Sequence, residues 1–596
     1  MIEHDLHTIL ATDCGSTTTK AILIEKRGDN YQLVVRGEAP TTVEAPYEDV
    51  TCGVLNAIME VEELSGRKIL DGETIITPEQ DGLGVDIYLS TSSAGGGLQM
   101  MVAGVVKNMT AESAERAALG AGAIVMDVLA SNDRRLPHEK IQRLRSLRPD
   151  MILLSGGIDG GTVKHVVEIA EILRAANLRP RLGSQYNLPV IYAGNSEARD
   201  QVHETLDSKA DVSIVDNLRP TMEEENLGPG REKIHDLFME HVMAQAPGYG
   251  KLKTWVKAPI MPTPAAVGNM IRAVAKEHGN NVIGVDIGGA TTDMFSDFGG
   301  VFNRTVSANL GMSYSIANVL AEAGYESILR WVPLDVDEAD LKDRIGNKMI
   351  RPTTIPQTME ELIVEQALAR EALRLSFEQH RAFATELKGV QKRRTISDTF
   401  EQDGIAAVVN LQALDLLIGS GGVLSHAPRR AQTALMLIDS FQPELVTELA
   451  VDSIFMMPQL GVLADVHRKA ATEVFHRDCL IRLGACLAPT GKYAHGKPCL
   501  RVQGTLPDGQ TIDETLQWGD LKLIAYHSTE PVELQVEPMK NVHLGADTKG
   551  PQTVTMTGGE VGLILDCRGR PIVVPADTAA RRQQLSQWYT EMGMYE

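Results

Sequence analysis

A chain of 596 residues has the length for several structural units and large buried cores. Hydrophobic residues make up 43% and charged residues 23%, an ordinary globular balance. Lys plus Arg number 57 against 79 Asp plus Glu, a net charge of −22 that repels nucleic-acid phosphates and anionic membranes, and no Lys/Arg run offsets it. No nucleic-acid or membrane partner is therefore expected. No stretch approaches the roughly 18 consecutive apolar residues of a spanning helix. The start, Met1-Ile2-Glu3-His4-Asp5, has neither a basic nor an apolar leader character. Six scattered cysteines without a C-x-x-C pair argue against a disulfide framework, and the expected location is cytoplasmic.

In chain order, residues 8–11 and 20–25 read as two strands around a polar turn, with 32–36 as a third. This is a hairpin start, not a strand-to-helix start. The turn is Asp13-Cys14-Gly15-Ser16-Thr17-Thr18-Thr19-Lys20. A strand that ends at an Asp can hold a Mg²⁺ ion through water, and a Gly-Ser/Thr turn offers backbone N–H groups and hydroxyls to phosphate oxygens. Residues 87–90 read as a strand, followed by Thr91-Ser92-Ser93-Ala94-Gly95-Gly96-Gly97, an apolar stretch over 98–106 and an Ala-rich helix over about 111–128. Residues 150–216 alternate apolar runs with helical stretches, which implies a parallel α/β sheet. The loop Ser155-Gly156-Gly157-Ile158-Asp159-Gly160-Gly161-Thr162 reads as βα turn chemistry, with a second anion or partner site as the alternative.

Thr263-Pro264 is an N-cap and first-turn pair for a helix to about Glu277. The strand 282–285 then leads into Asp286-Ile287-Gly288-Gly289-Ala290-Thr291-Thr292-Asp293, the same grammar as the first turn: strand, Asp, Gly, small residue, hydroxyls. One such motif is weak, because ordinary turns use the same residues. Two copies, followed by a third motif, are much more specific. That third motif is Leu417-Ile418-Gly419-Ser420-Gly421-Gly422-Val423, where glycines strip side chains from a place in which an adenosine can lie on backbone. A P-loop is excluded, since G-x-x-x-x-G-K-[ST] is absent. His476, Cys479 and Cys486 have spacing unlike a structural zinc site and read as packing. Cys14 reads as a small buried filler. The last hundred residues show short alternating segments between Gly, Pro and Asp turns, a β-rich pattern.

In this order the three motifs resemble the phosphate 1, phosphate 2 and adenosine loops of the actin/hexokinase/Hsp70 ATPase superfamily. The fold this implies is α/β and two-lobed, ribonuclease H-like, with an inserted α/β unit and a small β-rich C-terminal unit. The expected divisions are 1–85, 86–262, 263–495 and 496–596. The stretches Ser90-Thr91-Ser92-Ser93-Ala94-Gly95-Gly96-Gly97-Leu98 and Leu154-Ser155-Gly156-Gly157-Ile158-Asp159-Gly160-Gly161 are similar to the glutamate mutase accessory protein family, called MutL and unrelated to the mismatch-repair protein of that name. That resemblance implies ATP and Mg²⁺ as cofactors and the subunits of an adenosylcobalamin-dependent mutase as partners, with repair or maintenance of the mutase as the role.

Carried onto this sequence, Asp13 and Asp286 become Mg²⁺–water ligands. One of them, or Asp293, orients or deprotonates the attacking water. Gly15, Ser16, Thr17, Thr18, Gly288, Gly289, Thr291 and Thr292 contact β- and γ-phosphates. Lys20 either neutralises phosphate charge or points to solvent, and Gly419, Ser420, Gly421 and Gly422 receive the adenosine. Two rival readings stay open: a small-molecule kinase or ATP-dependent amidohydrolase of the same superfamily, and a nucleotide-gated scaffold without turnover.

Overall fold

The computed structural model describes residues 6–15, 18–43, 45–93, 98–181, 186–243, 247–313, 315–384, 408–545 and 550–595. Their contacts divide them into two units, residues 6–273 with 457–478, and residues 274–384, 408–456 and 479–595.

In the first unit, β1 (Thr8–Cys14), β2 (Thr18–Arg27) and β3 (Asn30–Pro40) form an antiparallel meander, and β4 (Ile87–Ser92) runs parallel to β1. Every residue of β1 and β4 is buried, as expected for strands covered on both faces. The chain then makes the inserted strands β5 (Gln99–Gly104), β6 (Ile124–Ala130), β7 (Met151–Leu154), β8 (Leu188–Tyr192) and β9 (Ala210–Ile214). They form an all-parallel sheet in the order β9-β8-β7-β5-β6. The expected Ala-rich helix over 111–128 is shorter, Glu112–Gly120. Gly122 takes φ +90°, and the chain turns there into the edge strand β6. The two-residue β10 (Met261–Pro262) returns to pair with β4, completing the order β3-β2-β1-β4-β10, and leads directly into helix α1 (Thr263–His278).

The second unit repeats the plan. Strands β11 (Val282–Ile287), β12 (Thr292–Phe298) and β13 (Val301–Ser307) form an antiparallel meander. Helix α2 (Met359–Phe383) follows, opened by a reciprocal Thr358/Glu361 capping box. Strand β14 (Leu416–Ser420) joins β11 in parallel; after helix α3 (Arg430–Phe441), β15 (Leu445–Asp452) joins β14 in parallel. Both sheets therefore run 3-2-1-4-5, with an antiparallel meander and two parallel additions. That order, present twice in one chain, is the actin/hexokinase/Hsp70-like fold.

Two segments pack away from the divisions expected of the sequence. Residues 457–478, expected in the second lobe, pack with the first unit. The edge N–H groups of Tyr31 and Leu33 on β3 donate to the carboxylates of Glu473 and Asp478 at 2.9 and 2.8 Å. Gly461 also lies against Ala266, where a Cβ would meet the carbonyl oxygen at 1.8 Å. The C-terminal hundred residues do carry a four-stranded antiparallel sheet of their own, but they are not separate from the second unit. Strands Leu563–Asp566 and Leu521–Ile524 extend its main sheet beyond β16 (Leu480–Ala488). The final helix Thr578–Glu591 buries Trp588 and Tyr589 in the same core as α2 and α3. A buried charge chain fastens this packing: Arg370 on α2 bonds Asp439 on α3 at 2.7 Å, Arg568 bonds Asp439 at 2.8 Å, and Arg568 bonds Asp566 at 2.9 Å. Neutralised charges of this kind can sit in a core, where an unpaired one could not.

Candidate functional site

In the first unit the site is built on the β1–β2 turn. Gly15 N–H donates to Thr18 O at 3.0 Å, and a Cβ on Gly15 would sit 2.7 Å from that same oxygen, so the closed turn requires glycine. Asp13 is the last residue but one of β1 and is only 3% exposed. Its Oδ1 accepts hydrogen bonds from Thr91 Oγ1 at 2.7 Å and Thr263 Oγ1 at 2.6 Å. Burial pushes the carboxyl upward, against the pull of these two hydroxyls and of Lys20. Lys20 lies directly across the hairpin from Asp13, on the same face of the ladder. Thr41 Oγ1 donates to Gly15 O at 2.9 Å and braces the turn from β3's end. Burial, reinforced by the neighbouring Asp13 charge, pushes the Cys14 thiol up to about 12, which suits a filler and not a reactive sulfur. Ser16 and Thr17 lie outside the described residues, as do Ala94, Gly95, Gly96 and Gly97.

In the second unit the β11–β12 turn has the same closure, Gly288 N–H to Thr291 O at 2.9 Å. Asp286 is half-buried at the end of β11 and pairs across the hairpin with Asp293. Asp293 is buried, and its Oδ1 accepts from Arg304 of β13 at 2.6 and 3.1 Å. Thr292 is fully buried, with its hydroxyl donating to Leu310 O at 2.5 Å, whereas Gly289 and Thr291 remain partly accessible. A second segment holds the turn from below. Met312 N–H donates to Gly288 O at 2.9 Å, Ser313 N–H to Gly289 O at 2.8 Å, and Ser315 Oγ to Ala290 O at 2.7 Å.

Beside it, β14 places Ser420 level with Asp286. Ser420 Oγ is buried with no hydrogen-bond partner among the described residues. Gly421 takes φ +99°, and a Cβ there would lie 2.1 Å from Ile287 O, so the third glycine motif is pressed onto the second Asp-led strand. Gly419 is buried under Leu424 and Leu437. Gly288, Gly289, Gly422 and Val423 line one cavity of about 600 Å³, closed by apolar Met312, Ile355, Met359 and Leu362. Lys348 and Glu365 form a 3.0 Å ion pair in its wall. Cavities of this size, mostly apolar with a few polar groups in the wall, hold small-molecule ligands.

The structure thus joins the second and third motifs around one cavity and gives the first motif its own anchored Asp. Sequence reasoning missed Thr91, whose signal was a strand ending in three hydroxyl residues. It read Thr263 as a helix cap, whereas the hydroxyl proton goes to Asp13. The cavity wall from Lys348 to Leu362 carried no motif. The loop 155–161 is knitted within the insert. Asp159 Oδ1 accepts from Ser196 N–H at 2.8 Å and Asn217 Nδ2 at 3.1 Å, and Gly157 and Gly160 take positive φ. Burial raises the Asp159 carboxyl, but these hydrogen bonds outweigh it and hold it below the usual range. Among the described residues, no helix is long and apolar enough to cross a membrane.

The family model described as MutL protein matches residues 9–479. Protein MutL of Clostridium tetanomorphum is 30% identical over 491 residues, spanning 76% of this chain and 96% of the relative. Among solved structures, nucleotide-free acetone carboxylase aligns at 12% identity and TM-score 0.34, covering 86% of this chain and 81% of that one. Component A of (R)-2-hydroxyglutaryl-CoA dehydratase from Acidaminococcus fermentans aligns at 10% identity and TM-score 0.26, covering 78% and 99%. The fold assignment rests on the repeated strand order above.

Proposed function

The chain belongs to the MutL protein family, and from that premise we propose that it is an ATP-dependent accessory protein that maintains or reactivates an adenosylcobalamin-dependent mutase such as glutamate mutase. The observation that carries the nucleotide half of this reading is the repeated hairpin, Asp-led and closed by a Gly N–H to Thr O bond at Gly15 and again at Gly288. The partner half rests on the family relationship. In this reading Gly15, Ser16, Thr17, Thr18, Gly288, Gly289 and Thr291 contribute to phosphate binding, Thr292 supports the second turn from within through its bond to Leu310 O, and the cavity lined by Gly288, Gly289 and Gly422 takes the adenosine.

Magnesium suits the donors present. Asp13 Oδ2 accepts no hydrogen bond among the described residues, and Ser420 offers a buried, unpartnered hydroxyl beside Asp286. In each unit, oxygen donors at strand ends suit a hard divalent cation that keeps several waters. When bound, the ion neutralises phosphate charge as the terminal phosphoryl group leaves. The protein's own contribution is positional: Asp13 in the first unit and Asp286 in the second would each orient a hydrated ion, and each closed turn would hold its remaining N–H groups and hydroxyls toward phosphate. Asp293, tied to Arg304, acts on Asp286 from across the hairpin and orients water only through it. Lys20 contributes positive charge beside Asp13.

The test is phosphate release from Mg·ATP by the purified protein, with and without a glutamate mutase-type partner, alongside Asp286→Ala. Slow release that rises with the partner and vanishes in the variant is expected. ATP binding with no release under any condition would overturn turnover and leave the scaffold. Phosphate appearing on a small acceptor would instead identify a kinase.

A further inference from the structure

A carboxylate has two oxygens, and in Asp13 they are treated unequally. Thr91 Oγ1 and Thr263 Oγ1 both donate to Oδ1, at 2.7 and 2.6 Å, and nothing among the described residues donates to Oδ2. All three side chains are buried. The arrangement follows from the sheet. Thr91 is level with Asp13 on the parallel neighbour β4, β10 pairs with β4 in turn, and Thr263 is the next residue after β10 and the first of α1. Three adjacent strand ends thus bring two hydroxyls to one oxygen. Each hydroxyl has a single proton; that of Thr263 is spent on Asp13, while Thr91 also lies 3.4 Å from Thr12 O, a longer and weaker alternative.

We propose that Thr263, with Thr91, is a positioning residue for the magnesium site: the two hydroxyls lock the Asp13 carboxylate by Oδ1, so that Oδ2 alone is presented to the hydrated ion. This rests on the Mg·ATP reading above. A carboxylate held by two short hydrogen bonds cannot rotate about its Cβ–Cγ bond without breaking both, so it meets the ion already oriented. The bond also ties the phosphate-loop carboxylate to the first residue of α1, so whatever engages Asp13 acts on that helix end. Partners that orient a metal-binding carboxylate in this way contribute about 10- to 100-fold to metal affinity.

The experiment titrates Mn²⁺ into the full-length protein with a non-hydrolysable ATP analogue and reads bound ion by electron paramagnetic resonance. Wild type is compared with Thr263→Val, which keeps the shape and removes the hydroxyl, and Thr263→Ser, which restores it. The expected result is a Mn²⁺ dissociation constant raised about 10-fold or more in the Val variant, recovered in the Ser variant, with metal-free analogue affinity unchanged in both. Equal Mn²⁺ affinity in Thr263→Val and wild type overturns the positioning role and leaves the nucleotide reading intact. If wild type binds no Mn²⁺ with the analogue, both fall. Should Thr263→Val not fold, Thr91→Val against Thr91→Ser makes the same comparison at the other hydroxyl.

Discussion

The two Asp-led hairpins share a backbone and differ in what stands around it. In the first, Asp13 is buried, anchored by two threonine hydroxyls, and faces Lys20 across the ladder. In the second, Asp286 is half-buried and faces another acid, Asp293, which Arg304 of the neighbouring strand β13 neutralises. One hairpin supplies a positive charge beside its carboxylate, whereas the other supplies a second negative charge already paired. The lesson is that the Asp-Gly-Thr spacing specifies the turn, and the neighbouring strands specify the electrostatics.

The comparison breaks most visibly at the cross-strand residues. Arg304→Met leaves Asp293 buried without its partner and should destabilise the second unit by about 3–5 kcal/mol. Lys20→Met, at a partly exposed strand position, should cost no more than about 1 kcal/mol. Urea unfolding of both variants checks this, and similar losses would mean the two hairpins are electrostatically alike after all. Next in size are the leading acids. Asp13→Ala and Asp286→Ala should each lower phosphate release by about 100-fold or more, roughly 2.7 kcal/mol of barrier. A full effect at only one of them would show that the repeat is structural at the other.

Gly421→Ala probes the press of β14's end on β11. With φ near +99° and a Cβ 2.1 Å from Ile287 O, it should cost about 1–3 kcal/mol and weaken nucleotide binding, measurable by calorimetry. The last effect is one of pH. His380 bonds Thr305 of β13 and Ser296 of β12 at 2.8 Å each, and burial lowers its pKa to about 3. The folded state therefore binds fewer protons than the unfolded one below about pH 6.5, and stability is lost as pH falls through that window toward the folded value. About 2 kcal/mol should be gone by pH 5. His380→Gln should flatten that decline in unfolding measurements at pH 7 and pH 5, and an unchanged slope would remove His380 from the account.

Both hairpin turns are legible in the sequence alone, because Asp, Gly and Thr at that spacing leave few other backbone solutions. So are the glycine turn after β14, the alternation that makes the insert a parallel sheet, and the family. The rest depends on groups distant in the chain. Thr263, some 250 residues after Asp13, shows itself as an anchor only when β10 pairs with β4, since a Thr-Pro pair reads locally as a helix start. Residues 457–478 carry no local sign of belonging with the first unit; the edge N–H groups of β3 need carboxylates, and Glu473 and Asp478 supply them. The merging of the last hundred residues into the second sheet has the same cause. Local spacing fixes the turn a segment makes, and only the folded chain supplies the partner that satisfies its buried hydrogen bonds and charges.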